Sequence, residues 1–383
     1  MNISPWEIAL QQRMHELNQH LNKGYKVALY MYEKADTSTF RYRVYNVYQS
    51  LQEDKEWKIV YFFEDEMQLL YDYLDKVDLI NIVRMRWTFQ LDEFISRAKL
   101  KCTPIVFDVD DLVFNIEYLP LLTNTLNVNF ANERDYEYWF SYIARMQYTA
   151  SKVDGFITTN AFLGEQLKKK FGKEYGIIKN YLNKEQIFVS EKHLKNKKKY
   201  ESPFIIGYFS GTPSHINDFK IVSREIVELL KQYEDIQLKV VGFMEFDADL
   251  RPLIEKGRIT FHPLVDFIEL QRLIAEVDVN IIPLVNNTFT NCKSELKFFE
   301  AAVVGTISCA TPTYIYKSII EHGVNGFLCN QGQWYRTIED IYLGRVDKDD
   351  IVSEAREYVY THYTGSNVVD EIHKALDKFT KLN

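Results

Sequence analysis

Short apolar runs of strand length alternate with helical stretches along the whole chain, and this alternation restricts the fold more than any other feature. In the first half the apolar runs lie at residues 25–32, 58–63, 79–83, 105–109 and 155–159. Parallel strands need a crossover helix between them and are buried on both faces, so the alternation is typical of a parallel sheet. The first half is therefore predicted to form a Rossmann-like domain.

The same pattern restarts after residue 203. Strand-like runs lie at residues 204–209, 238–242, 259–261 and 279–282, and helical stretches lie at 217–233 and 267–275. The polar, strongly basic segment 191–203 between the halves is typical of a linker. We therefore predict an α/β protein with an N-terminal domain at 1–190, a linker at 191–203 and a second Rossmann-like domain at 204–350. The amphipathic tail at 351–383 is expected to be helical and to pack back on the N-terminal domain.

Composition excludes several classes of protein. The net charge of −8 argues against a general nucleic-acid binder. No apolar run approaches the roughly 20 residues of a membrane span, and the N-terminus lacks the basic-then-apolar order of a secretory signal. We therefore expect a cytoplasmic protein. The four cysteines lack metal-site spacing and are predicted to be small buried hydrophobic residues: Cys102, Cys292, Cys309 and Cys329.

Polar and charged residues follow the predicted strands of both halves. Open parallel sheets bind ligands at the carboxyl ends of their strands, so two facing domains should form a cleft lined by these loops. The segment 291–328 stands out because it combines a polar loop, a helix with inward-facing charges, a buried strand and a glycine-punctuated turn. Lys293 and Ser294 precede that helix, and a helix start offers unpaired amides and a positive dipole. The segment therefore predicts an anion site, although Ser294 could also serve as a plain N-cap.

The segment from Lys293 to Leu328 resembles the donor-binding signature of family 4 glycosyltransferases, retaining enzymes of the GT-B fold that use nucleotide-sugars. Other stretches resemble the family in the same order: 151–158, 178–180, 207–212, 240–242, 259–264 and 277–279. The resemblance implies two Rossmann-like domains that face each other across a cleft, with a C-terminal helix packing back on the first. The anion would then be the diphosphate of a nucleotide-sugar.

One departure from the family's pattern concerns a carboxylate. The family usually carries Glu-x7-Glu; here Glu300 occupies the second position and Cys292 the first. The run from Lys293 to Lys297, Lys-Ser-Glu-x-Lys, resembles a subgroup of the family. Whether Glu295 replaces the missing glutamate is left open.

The resemblance and the loop positions together give a set of candidate site residues. Those expected to be catalytic are Asp110, Asp111, Lys293 and Glu295. Those expected to bind the donor are Ser210, Gly211, Thr212, Pro263, Leu264, Ser294 and Glu300, with Glu300 on the ribose. Those expected to bind the acceptor are Arg41, Arg43, Arg84 and Arg86. For Asp108, Asp110 and Asp111, a helix cap or a divalent cation is the alternative, but the family implies that no metal and no cofactor beyond the nucleotide-sugar is needed.

The resemblance implies a hexosyl- or deoxyhexosyltransferase that moves a sugar, with retention, to a hydroxyl of a glycan or lipid-linked glycan in bacterial surface polysaccharide synthesis. Basic tracts, from Lys168 to Lys170 and from Lys192 to Lys199, could contact an anionic membrane at the inner face. Two alternatives remain: a catalytically degenerate subunit that stabilises a partner, and a nucleotide-sugar epimerase of the same fold. A Rossmann-type oxidoreductase is disfavoured, because no Gly-x-Gly-x-x-Gly follows the first strand of either half.

Overall fold

A computed structural model of the chain describes residues 4–34, 37–125, 132–197, 202–211, 216–242 and 250–380. The candidate residue Thr212, part of the predicted linker and the end of the second basic tract lie outside these ranges. Within the described ranges, no helix is long and apolar enough to cross a membrane.

The first sheet contains six parallel strands in the order β2-β1-β3-β4-β5-β6. The strands are β1 Lys26–Tyr32, β2 Trp57–Phe63, β3 Leu79–Val83, β4 Ile105–Val109, β5 Gly155–Thr158 and β6 Tyr175–Ile177. All five apolar runs of the first half are strands, and the run at 105–109 matches β4 at both ends. Strand β6 was not predicted, because three residues that include Gly176 carry no periodic pattern.

The second sheet contains six parallel strands in the order β12-β11-β10-β7-β8-β9. The strands are β7 Phe204–Phe209, β8 Ile236–Val241, β9 Ile259–His262, β10 Val279–Ile282, β11 Ile307–Ala310 and β12 Phe327–Leu328. The central pair is in register, with Val279 beside Ile206 and Ile281 beside Tyr208. Because these central strands are buried on both faces, their sequences are mainly apolar, with the buried Asn280 as the polar exception.

Helices connect the strands of both sheets and cover their faces. In the first half they are α1 Leu10–Asn22, α2 Ser38–Phe40, α3 Asn46–Ser50, α4 Phe89–Leu100, α5 Leu119–Thr125, α6 Glu133–Lys152, α7 Ala161–Phe171 and α8 Lys184–Lys195. In the second half they are α9 Ile216–Phe219, α10 Ser223–Gln232, α11 Arg251–Glu255, α12 Phe267–Ala275, α13 Thr288–Asn291, α14 Leu296–Ala302, α15 Tyr314–Ile319, α16 Trp334–Tyr342, α17 Lys348–Tyr363 and α18 Ser366–Thr380. Short 3-10 helices lie at Glu64–Tyr73 and Ile116–Tyr118.

A π-helical segment, Arg41–Tyr45, lies between α2 and α3 and joins them into one continuous helix. Apolar residues at helical spacing over residues 40–51 predict a helix here, but nothing in that spacing predicts the π-helical turn. The wider turn changes which side chains face the second domain, and single-turn π segments occur frequently at functional sites.

Side-chain caps fix where several helices start. Thr88 accepts a hydrogen bond from the backbone of Leu91 at the start of α4, and Asn183 does the same for Gln186 at the start of α8. Asp266 caps α12. Each cap satisfies an amide that has no partner within the helix, which is worth about 1 kcal/mol.

The C-terminal helices return to the first domain. Helix α17 packs on α14, and α18 packs on β6. Asp377 of α18 accepts hydrogen bonds from Lys26 and from the indole of Trp57. Phe379 packs against Gly155 so closely that a Cβ on this glycine would lie 2.2 Å from the ring. The predicted fold class, including the returning C-terminal helix, is confirmed.

Helix α8 passes residue 190, where the sequence places the end of the first domain, and packs along α12 of the second half. Its Ser190 donates a hydrogen bond of 2.9 Å to Gln271, and both side chains are buried. The helix thus belongs to the interface between the halves. The exact domain bounds stay a prediction.

Candidate active site

A cavity of about 810 Å³ lies between the carboxyl ends of the two sheets. Its walls include residues that follow β1, β3 and β4 of the first sheet and β7, β9 and β10 of the second. Candidate site residues in the wall are Arg41, Arg84, Asp110, Asp111, Ser210, Gly211, Leu264, Lys293, Ser294 and Glu300. The two facing sheets thus bring together ten of the candidates from distant parts of the chain, at the edge where open parallel sheets bind ligands.

Two lysines form the cationic side of this cavity. Lys293 lies 3.4 Å from Asp111 and 4.3 Å from the ring centroid of Phe289. Lys297, one helical turn further on, lies 5.9 Å from the ring centroid of Tyr208 and forms no ion pair with any residue that the structure describes. Burial lowers the pKa of Lys297 to about 8. An anion of matching size would therefore gain most from Lys297, whose charge is not already neutralised.

The helix after Lys293 starts later than the sequence suggests. Helix α14 has seven residues, and Glu295, not Ser294, occupies its N-cap position. Ser294 precedes the cap and accepts a hydrogen bond of 2.9 Å from Asn180 of the first domain. In so short a helix the summed peptide dipole is small, so charged side chains dominate the electrostatics of this wall.

Glu300 is held by two groups of the first domain. The Tyr42 hydroxyl donates a 2.5 Å hydrogen bond to Oε1 of Glu300, and Gln186 Nε2 lies 3.5 Å from the same oxygen. Burial raises the pKa of Glu300, and the hydrogen bond from Tyr42 opposes this shift. The carboxylate is 6% exposed and lines the cavity. A hydrogen-bond donor on a ligand in the cavity could therefore reach the other carboxylate oxygen of Glu300, Oε2.

Glu295 does not face the cavity. It is wholly buried, its Oε1 accepts a 2.6 Å hydrogen bond from Tyr363 of α17, and its Oε2 has no partner among the described residues. Burial raises its pKa. The prediction of a catalytic Glu295 needs correction, because the N-cap turn directs this side chain toward the crossing helix. It cannot take the place of the missing family carboxylate in this arrangement.

Cys292 occupies the position of that carboxylate. It is wholly buried among apolar residues of the first domain, and Asn160 Nδ2 donates 3.2 Å hydrogen bonds to the carbonyls of Cys292 and Lys293. Burial also raises the pKa of its thiol, which keeps it neutral. Cys309 and Cys329 are buried as predicted, whereas Cys102 is exposed because it lies in the left-handed turn that follows α4.

Arg43 lies beneath the cavity and does not line it. Its guanidinium donates to both oxygens of Asp108, at 2.8 and 2.9 Å, to the carbonyl of Ile178 at 2.6 Å and to Asn180 Oδ1 at 3.1 Å. Arg43 and Asp108 are wholly buried. The prediction that Arg43 contacts the acceptor is therefore wrong, because its guanidinium group is buried and already forms its hydrogen bonds inside the first domain.

The other arginines lie at the first-domain wall. Arg84 pairs with Asp110 at 2.8 Å and has a left-handed backbone, with φ of 47°, a conformation that costs energy for a non-glycine residue. Arg41 lies over the rings of Tyr42 and Phe267, and its buried Nε has no partner among the described residues. Arg86 does not line the cavity.

Arg86 forms an ion pair with a residue of the cavity wall. It pairs with Glu33, which lines the cavity, at 2.8 and 3.0 Å. On the opposite wall, Gly211 has a φ of 70°, which suits glycine. Pro263 is exposed beside Leu264 but is not part of the lining.

Each of the three aspartates that were considered as metal ligands forms an ion pair with an arginine or lysine side chain. Asp108 pairs with Arg43, Asp110 with Arg84 and Asp111 with Lys293. In the part of the chain that the structure describes, no three histidine, cysteine or acidic side chains form a group suited to a metal. A divalent cation would have to displace these pairs.

Lys297, Tyr42, Gln186 and Asn180 were not among the predicted site residues. Lys297 could have been found, because a spacing of three puts it on the same helical face as Glu300. The other three carry no local signal. They reach the site only because α8, the segment after β6 and the π-helical turn face the second domain.

Residues 203–344 match the family model described as "Glycosyl transferases group 1". The match spans most of the second domain and ends before the last two helices. Among the curated proteins, none matches the sequence of the chain.

Three solved structures have a similar fold over nearly the whole length of the chain. A glycosyltransferase from Rickettsia africae ESF-5 has a TM-score of 0.62 at 13% identity, and Anabaena Alr3699/HepE in complex with UDP and glucose has 0.58 at 14%. Sucrose-phosphate synthase from Thermosynechococcus elongatus has 0.57 at 12%. In each case the match covers 94% of this chain and 100% of the other. The GT-B fold is thereby confirmed.

The buried pair beneath the site gives a stability prediction. Arg43→Met leaves the buried carboxylate of Asp108 uncompensated, and we expect the free energy of unfolding to fall by about 3 to 5 kcal/mol. Arg97→Met is the control, because Arg97 pairs with Glu93 on the exposed face of α4 and should change stability little. Denaturant unfolding followed by circular dichroism measures both. Equal losses in the two variants would contradict the role given to Arg43.

Proposed function

We propose that this protein is a glycosyltransferase that moves a hexose from a nucleoside diphosphate sugar to a hydroxyl of a glycan or lipid-linked glycan, with retention of anomeric configuration. The observation that carries the proposal is that Lys293, Lys297 and Glu300 all line the cavity between the domains. Two cations and one carboxylate in this order fit a diphosphate followed by a ribose. UDP and UDP-glucose in the related Anabaena structures support a uridine nucleotide as the donor.

The diphosphate would bind between the two lysines. As the glycosidic bond breaks, negative charge grows on the departing phosphate, and Lys297 is positioned to stabilise it inside a site that excludes water. Lys293 would add to this effect once Asp111 turns toward the substrate. The two ammonium groups supply positive charge that other transferases obtain from a metal, which supports a metal-independent reaction with no further cofactor.

The ribose would bind at Glu300. Because Oε1 of Glu300 already accepts from Tyr42, Oε2 is the oxygen left for a ribose hydroxyl. Tyr42 comes from the first domain, so a nucleotide bound here would link the two halves. The site would then be complete only in the closed arrangement of the domains.

The acceptor would approach from the first-domain wall. Asp110 and Asp111 are the candidate groups that orient the sugar or the attacking hydroxyl, with Arg84 holding Asp110 in place. In the mechanism that the family resemblance implies, the acceptor attacks from the face of the departing phosphate, whose oxygen takes the proton. No protein nucleophile is then needed.

A role at the inner face of a membrane, in surface polysaccharide synthesis, is part of the proposal. Helix α8 supports it, because Phe188 is 63% exposed between Lys184 and Lys192. Lys168 and Lys170 give weaker support, since they pair with Glu174 and Glu117. Lys197 would not take part, because it is bonded to the carbonyl of Val277 and to Thr306.

Titration calorimetry with UDP-glucose in the presence of EDTA tests the donor site. Lys297→Ala removes a charge-assisted contact, so we expect the donor to bind about 10- to 100-fold more weakly. Lys317→Ala on the exposed face of α15 is the matched control and should leave affinity unchanged.

Several outcomes of this titration, and of an activity assay on the same protein with donor and acceptors, would count against the proposal. If neither UDP nor UDP-glucose bound, or if Lys297→Ala bound as tightly as the control, the assigned donor site would be wrong. Binding without transfer to any acceptor would favour a degenerate subunit, and isomerisation of the donor alone would favour an epimerase.

The low pKa of Lys297 predicts a pH dependence. Only the ammonium form attracts a diphosphate, and its pKa is about 8 in the free protein, so UDP affinity should be full near pH 6.5 and fall about tenfold between pH 8 and 9.5. Lys297→Arg keeps its charge throughout this range and should lose most of this dependence. Calorimetric titration across this range measures both proteins. A parallel decline in wild type and Lys297→Arg would show that another group titrates.

A further inference from the structure

The first half of α6 carries five aromatic side chains within seven residues: Tyr136, Tyr138, Trp139, Phe140 and Tyr142. Tyr138 is 55% exposed and Phe140 is 43% exposed. Further along, the same helix buries Ile143 and Met146 in the first-domain core. The aromatic half therefore extends beyond the core, and so large an exposed aromatic group marks a binding surface.

These aromatic residues divide into two flanks of the helix. Trp139 and Tyr142 line the cavity, and the Tyr138 ring lies 5.6 Å from Trp139 and 6.2 Å from Tyr142. We call these three residues the cavity-side cluster. Tyr136 and Phe140 instead stack on each other at 6.4 Å on the other flank. The cavity-side cluster is thus continuous with the candidate active site.

The surroundings of the cavity-side cluster are polar. Arg86 lies 5.4 Å from the ring centroid of Tyr142, and it pairs with Glu33 of the cavity wall. Arg84 and Asp110 lie on the same wall. Flat apolar rings bordered by hydrogen-bonding groups suit a ligand with an apolar face and a hydroxyl rim, and a pyranose ring has this character.

The charge of the residues around the aromatic half of α6 favours a glycan over an anionic bilayer as the ligand of this surface. The first turns of α6 carry Glu133, Asp135 and Glu137 against Arg134, so the exposed aromatic half lies in a net negative environment. Anionic lipid would be repelled, whereas a neutral glycan would not.

We propose that the cavity-side cluster is an extended acceptor subsite, on which sugar rings of an oligosaccharide stack outward from the reacting end. The proposal rests on the function proposed above, because it takes the cavity as the place of transfer. It implies that the acceptor is a chain of several sugars and that affinity grows with chain length. Tyr138 is a binding residue for the second or later ring, remote from the reacting atoms.

An array of immobilised oligosaccharides and monosaccharides, probed with the labelled full chain, tests this subsite. We expect wild type to be retained by oligosaccharides of at least about three sugars and not by the matching monosaccharides. Tyr138→Ala should weaken retention by roughly tenfold, the value of one aromatic stacking contact. Phe140→Ala is the matched control, since it removes an aromatic ring of similar exposure from the other flank, and should leave retention unchanged.

Two further arms separate the explanations. UDP titration of the same variants should give wild-type affinity, because neither residue contacts Lys293 or Lys297. If wild type did not bind UDP, the donor site would be refuted, but the glycan result would still hold. Vesicles of phosphatidylcholine and phosphatidylglycerol should not bind through this helix. Absence of glycan retention, equal loss in both variants, or vesicle binding that both variants abolish would each overturn the subsite.

Discussion

The ion pair between Arg43 and Asp108 supports the geometry of the whole cleft. Asp108 belongs to β4, directly before the loop with Asp110 and Asp111, and Arg43 belongs to the π-helical turn that also presents Tyr42. The same guanidinium binds Asn180, which in turn donates to Ser294 of the second domain. Burying two charges costs several kcal/mol, and the multiple hydrogen bonds of the guanidinium offset that cost only in this one arrangement. The pair therefore gives positional precision to both walls of the site.

Contacts between the domains converge on the start of α14. Asn160 binds the backbone at Cys292 and Lys293, Asn180 binds Ser294, and Tyr42 binds Glu300. Four consecutive positions, 292–295, are thus fixed by the first domain or by α17. Lys297 lies in the same region, and its ammonium group forms no ion pair with a residue that the structure describes. Its charge therefore remains available to an anionic ligand. The charge that the cleft offers to an anion is thus concentrated at one atom of a rigid segment.

The sequence predicted the sheets well, because buried parallel strands carry a local signal. The runs at 79–83, 105–109, 204–209 and 279–282 coincide with β3, β4, β7 and β10. Candidate residues were harder to place, because the direction of a side chain depends on the turn that carries it. Arg41 faces the cavity while Arg43, two residues later in the π-helical segment, enters the core. Ser294 faces the cavity while Glu295 turns away, and no periodicity distinguishes such neighbours.

The central claim is that the wall formed by Lys293, Lys297 and Glu300 holds a nucleoside diphosphate. A crystal structure of the full chain with UDP tests it most directly. We expect a phosphate oxygen within about 4 Å of Lys297 Nζ and a ribose hydroxyl on Glu300, with Tyr42 still bonded to the other carboxylate oxygen. UDP bound elsewhere, or bound in the cavity with its diphosphate touching neither lysine, would show that this wall is not the diphosphate site.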